Sequence, residues 1–238
     1  MECVRSLCEK SAEEVGEIRA VIRNPSAVTP EFFPKDSRVK ILSGDVTQEQ
    51  SLDEALKGAH YAIFSASGSR SRNKEVDELG LKKTLESAER CGLRRVVVCS
   101  SQLVDPANRW NIIRLLLNTI VWGTMDSKHR GEQHVRAFCK TARVEYAIVR
   151  PGRLIDGPVG GSGGVALGQT NAHFLRGASS TRADVARVIV QALTHPAARN
   201  CTFEMAGLLA AGAGAAPPPA EDLFAGLQSD DARAQSGK

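Results

Sequence analysis

The sequence has little with which to bind a metal ion or to cross-link itself. Its six cysteines include no C-x-x-C pair, and its five histidines show no spacing that is typical of metal ligands. We therefore expect no metal site, and we expect reduced, mostly structural thiols in a reducing compartment.

Long apolar runs and a signal peptide are also missing. The first residues are charged and have a helical pattern, unlike a secretory leader. The most apolar stretch, WNIIRLLLNTIVWG at residues 110–123, is too short to span a membrane and contains Arg114. Its periodicity predicts a buried or half-buried helix, and a membrane-surface or partner-binding segment is the alternative.

Charge of one sign is not concentrated anywhere. The net charge is +4 over 238 residues, the basic residues are scattered, and no motif combines aromatic and basic residues. The sequence therefore gives no support to nucleic-acid binding.

The length and a hydrophobic content of 42% suit one α/β domain, alone or with a small appendage.

Strand-like and helical patterns alternate along most of the chain. Strands are predicted at residues 18–22, 38–44, 60–67, 94–101 and 144–151, and helices at 50–57, 75–91, 126–141 and 180–193. This alternation predicts a doubly wound parallel sheet of Rossmann type, covered by helices on both faces. We expect this domain to occupy residues 1–205. Residues 206–238 are expected to form a low-complexity linker, one docked turn and a frayed tail.

The start of the pattern lacks an element. A dinucleotide-binding fold begins with a strand and a glycine-rich turn that holds the pyrophosphate, whereas this chain begins with a helix that leads into the strand at 18–22. We expect the missing strand and turn to belong ahead of residue 1, through truncation of the chain or of its gene model. GSGGVA at residues 161–166 matches G-x-G-x-x-A, but it does not directly follow a strand, so we expect a flexible loop there.

Several motifs in order resemble one family. RAVIRNP, SGDV, VDELG, RRVVVCSS, DSKHRGEQHVR, VEYAIVRPGRL and STRADVARVIV together resemble atypical short-chain dehydrogenase/reductase proteins with an NAD(P)H-binding domain, including plastid Tic62-like proteins. The resemblance covers about residues 1–205. It implies a dinucleotide cofactor, and a location in the cytoplasm or the plastid stroma.

Two residues are candidates for the adenosine end of the cofactor. Arg23 closes the strand at 18–22, where an arginine accommodates the 2′-phosphate of NADP(H); a solvated surface arginine is the alternative. Asp45 follows the next strand in SGDV. The resemblance implies that Asp45 faces the adenine, while a turn-forming role is equally open.

The nicotinamide end would lie at the ends of later strands. The strand at 60–67 ends in small residues, which would let the cofactor approach the backbone. These residues are Ser65, Ala66, Ser67 and Gly68. The resemblance implies cofactor contacts for Ser100 and for Arg150, Pro151 and Gly152, and catalytic roles for Ser101 and Lys128.

The family's tyrosine is absent. Lys128 matches the lysine of a Tyr-x-x-x-Lys pair, but Thr124 stands in the tyrosine position, and threonine is too weak an acid to replace it. An ion pair of Lys128 with Glu132 is the structural alternative for this lysine.

The sequence thus predicts an NADP(H)-binding protein without a membrane span. It is either an oxidoreductase with an unidentified substrate or a non-catalytic NADPH-sensing or scaffold protein with a protein partner. A fragment without activity is a third interpretation.

Overall fold

Helices alternate with strands along the chain in the computed structural model, which describes residues 1–69, 71–120, 122–161, 163–169, 179–208 and 223–237. The strands are β1 (Ile18–Ile22), β2 (Val39–Ser43), β3 (Tyr61–Phe64), β4 (Arg95–Cys99), β5 (Glu145–Pro151), β6 (Arg153–Ile155), β7 (Val165–Gly168), β8 (Ser179–Thr181) and β9 (Cys201–Gly207). The helices are α1 (Glu2–Cys8), α2 (Glu49–Leu56), α3 (Leu81–Arg90), α4 (Ile112–Ile120), α5 (Thr124–Cys139), α6 (Arg182–Ala192) and α7 (Asp230–Gln235). A π-helical segment, Lys74–Gly80, leads directly into α3.

The largest sheet has the strand order β3-β4-β5-β9-β7. Its first four strands are parallel, and β7 pairs antiparallel with β9. Strands β1 and β2 form a separate parallel pair, as do β6 and β8. Parallel strands joined through helices confirm the predicted Rossmann-type α/β class.

The break between β1 and β3 has a topological meaning. In the doubly wound order 3-2-1-4-5, the first strand lies between the strands that correspond to β1 and β3 here. Among the described residues, β1 pairs only with β2, and β3 pairs only with β4. The strand and glycine-rich turn expected ahead of α1 stay a prediction.

Apolar side chains cover both faces of the main sheet. On β4, Val97 belongs to a core cluster with α6, whereas Val96 and Val98 belong to a second cluster with α3 and α5. All three valines are essentially fully buried. A strand that is apolar on both faces is what a sheet between two helical layers requires.

The carboxyl-terminal part of the chain contributes to the core. Strand β9, which the sequence patterns did not predict, lies between β5 and β7. Phe224 is fully buried, with its ring stacked on His195 at 4.4 Å and in edge contact with Phe203 at 5.8 Å. Beyond it, the expected frayed tail contains α7, whose Asp230 accepts a hydrogen bond from the hydroxyl of Tyr146.

Two local expectations have different outcomes. The helix predicted within residues 110–123 is present as α4. The expectation that it is buried or half-buried is wrong, because Trp110 and Ile112 are 78% and 80% exposed and the polar Arg114 is buried. The glycine-rich stretch at 161–166 leads into strand β7, at Val165, and not into a helix, so it lacks the structural context of a dinucleotide-binding turn. None of the helices in the described ranges is long and apolar enough to cross a membrane.

Candidate functional site

The carboxyl ends of the parallel strands carry the candidate residues. Ser65 directly follows β3, Ser100 directly follows β4, and Pro151 ends β5. Because β3, β4 and β5 are neighbours and parallel, these residues lie along one edge of the sheet. In open α/β folds, this edge is where ligands bind.

One buried carboxylate joins the turn after β3 to helix α5. Asp77 is 2% exposed, and it accepts hydrogen bonds from the main-chain N–H of Gly68 at 2.8 Å and from the Ser67 hydroxyl at 3.1 Å. The Lys128 ammonium lies 2.7 Å from the same carboxylate. The lysine is therefore held against the turn that contains the small residues, and it does not form the alternative pair with Glu132.

The close approach of two helices makes this contact possible. Gly131 lies on α5 where that helix meets the π-helical segment, and a Cβ at this position would collide with the main-chain carbonyl oxygen of Asp77. Glycine thus lets the backbones approach each other, which brings Lys128 within reach of Asp77.

Ser100 belongs to a second buried group of polar side chains. Its hydroxyl donates a hydrogen bond to Glu132 at 2.6 Å, and Glu132 is fully buried. Arg150 donates two hydrogen bonds to Glu132, at 3.0 and 2.6 Å, and a third to Glu204 at 3.4 Å. Arg136 pairs with Glu132 from the adjacent turn of α5.

These ion pairs keep the buried groups charged. Burial opposes the ionisation of Glu132, but the guanidinium groups of Arg150 and Arg136 and the Ser100 hydroxyl hold its pKa below the usual value. Burial also opposes the charge of Arg150, yet Glu132 and Glu204 raise its pKa. Arg150, expected as a cofactor contact, is only 3% exposed, and its guanidinium holds Glu132, which accepts the hydrogen bond of Ser100.

The carboxyl ends of the separate pair β1 and β2 are followed by Arg23 and Asp45. Arg23 is exposed directly after β1, and Asp45 follows β2. Burial disfavours the charged form of Asp45, but hydrogen bonds from the N–H and hydroxyl of Thr47, together with nearby Arg72 and Arg23, hold its pKa below the usual value. The Lys83 ammonium donates a hydrogen bond to the Thr47 carbonyl oxygen at 2.8 Å, so the segment after β2 contacts the helix that follows β3.

The other residues that the sequence suggested for the cofactor site differ in how far they are exposed. Ser65 and Ser67 are exposed, while Ala66, Gly68, Ser101 and Gly152 are half-buried. Pro151 is buried, and so is Thr124, the first residue of α5.

One small cavity lies between these groups. It is lined by Lys128, Asp77, Ser100 and Glu132, together with Phe64 and Leu81. A larger and more open concavity of about 640 Å³ lies away from these groups, on β2 and beside Arg19 and Glu54.

Asp77 and Glu132 are site residues that the sequence patterns did not predict. Both are helical carboxylates among many others in the sequence, and the partners that connect them to the site, Lys128 for Asp77 and Ser100 and Arg150 for Glu132, are distant along the chain. The VDELG motif that contains Asp77 contributed to the family resemblance, but no spacing rule connects it to Lys128.

The fold and this edge define an NAD(P)-binding protein of Rossmann type, and comparison with known proteins identifies its family. The sequence matches the family described as NAD(P)H-binding over residues 3–196. The chain therefore belongs to this NAD(P)H-binding family, and the resemblance to atypical short-chain dehydrogenase/reductase proteins is confirmed.

The chain is also similar to a plant protein and to solved structures of the same fold. An uncharacterised chloroplastic protein of Arabidopsis thaliana is 28% identical over 206 residues, which are 82% of this chain and 69% of the relative. A candidate NAD-dependent epimerase/dehydratase of Bacillus halodurans is similar in structure, with a TM-score of 0.67, 23% identity and 87% of each chain covered.

Two further similar structures are named as reductases. An anaerobilin reductase of Escherichia coli has a TM-score of 0.66 and 22% identity over 86% of this chain and 91% of that one. A short-chain dehydrogenase/reductase of Veillonella parvula in complex with NADP has a TM-score of 0.65 and 16% identity, over 86% of this chain and 88% of that one. At these identities, the likeness shows a shared fold.

Proposed function

We propose that the chain binds NADP(H) along the carboxyl edge of its strands. Arg23 would contact the 2′-phosphate, Asp45 the adenine, and Lys128 the nicotinamide ribose. The observation that carries the proposal is the Lys128–Asp77–Gly68 contact, because it holds a cation beside the turn after β3 at the ligand-binding edge. The exposed guanidinium of Arg23, in the position that discriminates the two cofactors, supports NADP(H) over NAD(H).

The other edge residues have supporting roles in this proposal. Ser65, Ala66, Ser67 and Gly68 let the cofactor approach the backbone, and Ser100 and Ser101 lie beside the nicotinamide with Pro151 and Gly152. Arg150 acts indirectly, since its guanidinium fixes Glu132, which accepts the hydrogen bond of Ser100.

The proposed activity is that of an oxidoreductase with an unidentified substrate. The bound cofactor would supply the hydride, while Lys128 holds the ribose and Ser101 lies beside the substrate. A non-catalytic NADPH-sensing or scaffold role is the second candidate, and it is favoured by Thr124 in place of the family's tyrosine. The chloroplastic relative supports a plastid location for this chain.

The test is a titration of the full chain with NADPH and with NADH. We expect NADPH to bind roughly tenfold or more tightly, and Arg23→Ala to remove this preference, because a charge-assisted hydrogen bond contributes about 1.5–3 kcal/mol. Arg199→Ala is the matched control, since Arg199 is an exposed arginine that pairs with Glu145 at the amino end of β5. Equal affinities in the parent chain, or a preference that survives in Arg23→Ala, would overturn the cofactor assignment.

A further inference from the structure

Helix α4 has Arg114 and Asn118 toward the protein and most of its apolar side chains toward solvent. Arg114 is 4% exposed, and its guanidinium donates hydrogen bonds to the carbonyl oxygens of Leu103 and Val104, both at 2.6 Å. It also pairs with Asp126 at the start of α5. The side chain of Asn118, one turn further on, accepts a hydrogen bond from the N–H of Met125 at 3.0 Å.

The opposite face and its flanks form a largely apolar surface, which we call the α4 surface. It consists of Trp110, Ile112, Ile113, Leu115, Leu116, Ile120 and Trp122, which are 44–80% exposed. Ordinary amphipathic helices bury the apolar side and expose the polar side, so this arrangement is inverted. Exposed apolar patches of this kind mark interaction sites.

We propose that the α4 surface docks onto a lipid surface with anionic headgroups. Tryptophan at both ends and branched aliphatic side chains between them are the composition of helices that lie in a membrane interface. Between Asp105 and Asp126, which bound this segment, there are two arginines and no acidic residue, and Asp126 is paired with Arg114. Arg114 is occupied inside the protein, and Arg109 remains exposed beside the Trp110 ring, 5.8 Å from its centroid, where it is available to a lipid phosphate.

A second copy of the chain is the competing occupant, because the seven residues together expose an area on the order of the 800 Å² that a stable protein interface needs from each partner. The tryptophans at both ends and the exposed Arg109 favour the lipid instead. A shallow helix gains its stabilisation in an interface by placing apolar side chains among acyl chains.

The protein carries its own probe for this interaction. Its only two tryptophans are Trp110 and Trp122, so intrinsic tryptophan fluorescence reports on the α4 surface alone. We expect the emission of the full chain to shift to shorter wavelength with vesicles of phosphatidylcholine and phosphatidylglycerol, and to be quenched by brominated acyl chains. The response to pure phosphatidylcholine should be weaker, and Arg109→Gln should reduce the difference between the two.

Substitutions separate docking from unspecific adsorption. Ile112→Ser with Leu116→Ser should lower vesicle partitioning, measured by flotation, by about tenfold or more. Ile120→Ser serves as a second variant on the same surface. Val159→Ser is the matched control, because Val159 is 46% exposed on a different surface, and it should leave partitioning unchanged.

Three outcomes would overturn the proposal. The first is unshifted and unquenched emission with every vesicle composition. The second is flotation that is equal in the parent chain and the double variant. The third is a blue shift without lipid that grows with protein concentration, which would assign the surface to self-association.

Discussion

The ammonium group of Lys128 lies 2.7 Å from Oδ1 of Asp77, and the Asp77 side chain is 1% exposed. The second carboxylate oxygen accepts the N–H of Gly68 at 2.8 Å. One aspartate on the helix after β3 therefore fixes both a main-chain turn and a lysine from α5. Any ligand held by Lys128 at this edge is positioned through Asp77 as well.

We predict that Asp77→Ala lowers the free energy of unfolding by about 3–5 kcal/mol, because it leaves a largely buried ammonium without its partner. Urea denaturation measures this loss. Glu75→Ala is the control, since Glu75 pairs with Arg72 at an exposed position, where such pairs contribute at most about 1 kcal/mol. A cost for Asp77→Ala as small as that of Glu75→Ala would contradict the role given to the buried pair.

The sequence predicted the strands that form long apolar runs. The runs at 94–101 and 144–151 became β4 and β5, because a strand covered on both faces is apolar over most of its length and therefore conspicuous. Strand β9 has the sequence CTFEMAG, in which Thr202 and Glu204 interrupt the apolar residues. Both polar side chains are nevertheless buried, at 5% and 3% exposure, because Arg136 and Arg150 reach them from α5 and β5.

The candidate site was predictable only in part. Sequence order and the family resemblance could place Ser100 and Lys128 at the ends of neighbouring elements, because parallel strands end at a common edge. Neither the sequence order nor the resemblance could show that Ser100 donates a hydrogen bond to Glu132, or that Lys128 pairs with Asp77 and not with Glu132. Such choices depend on the packing of helices that are distant in sequence, and Gly131 permits that packing.

We predict slow turnover with simple carbonyl substrates. Thr124 is buried at the position of the family's tyrosine, and a threonine hydroxyl is a poor proton donor at neutral pH. NADPH oxidation measured against a panel of aldehydes, ketones and quinones should stay near the rate without substrate. Rapid oxidation that disappears in Lys128→Ala would show that another acid serves this site.

Alkaline pH should destabilise the fold through its buried thiols. Burial raises the pKa of the Cys139 and Cys201 thiols from an ordinary 9.0 to about 12. The negative charge of Glu89 adds to this shift for Cys139, and that of Asp230 adds to it for Cys201. A thiol whose pKa is higher in the folded state contributes stability that is complete below pH 9.0 and is lost as the pH rises toward 12.

The measurement is the free energy of unfolding as a function of pH under reducing conditions. We expect it to fall more steeply above pH 9.0 in the parent chain than in Cys139→Ala or Cys201→Ala, because each variant has lost one group whose proton is linked to folding. Parallel pH profiles for parent and variants would be inconsistent with buried protonated thiols.

The burial of Phe224 has a consequence for how the protein is made. Its ring fills the space between His195 and Phe203, and Asp230 beyond it bonds to Tyr146 in the central sheet. A ribosome releases these residues after the nine strands in the part of the chain that the structure describes. Until Phe224 emerges, His195 and Phe203 beside β9 lack the ring that packs on them, and this apolar surface is open to chaperones.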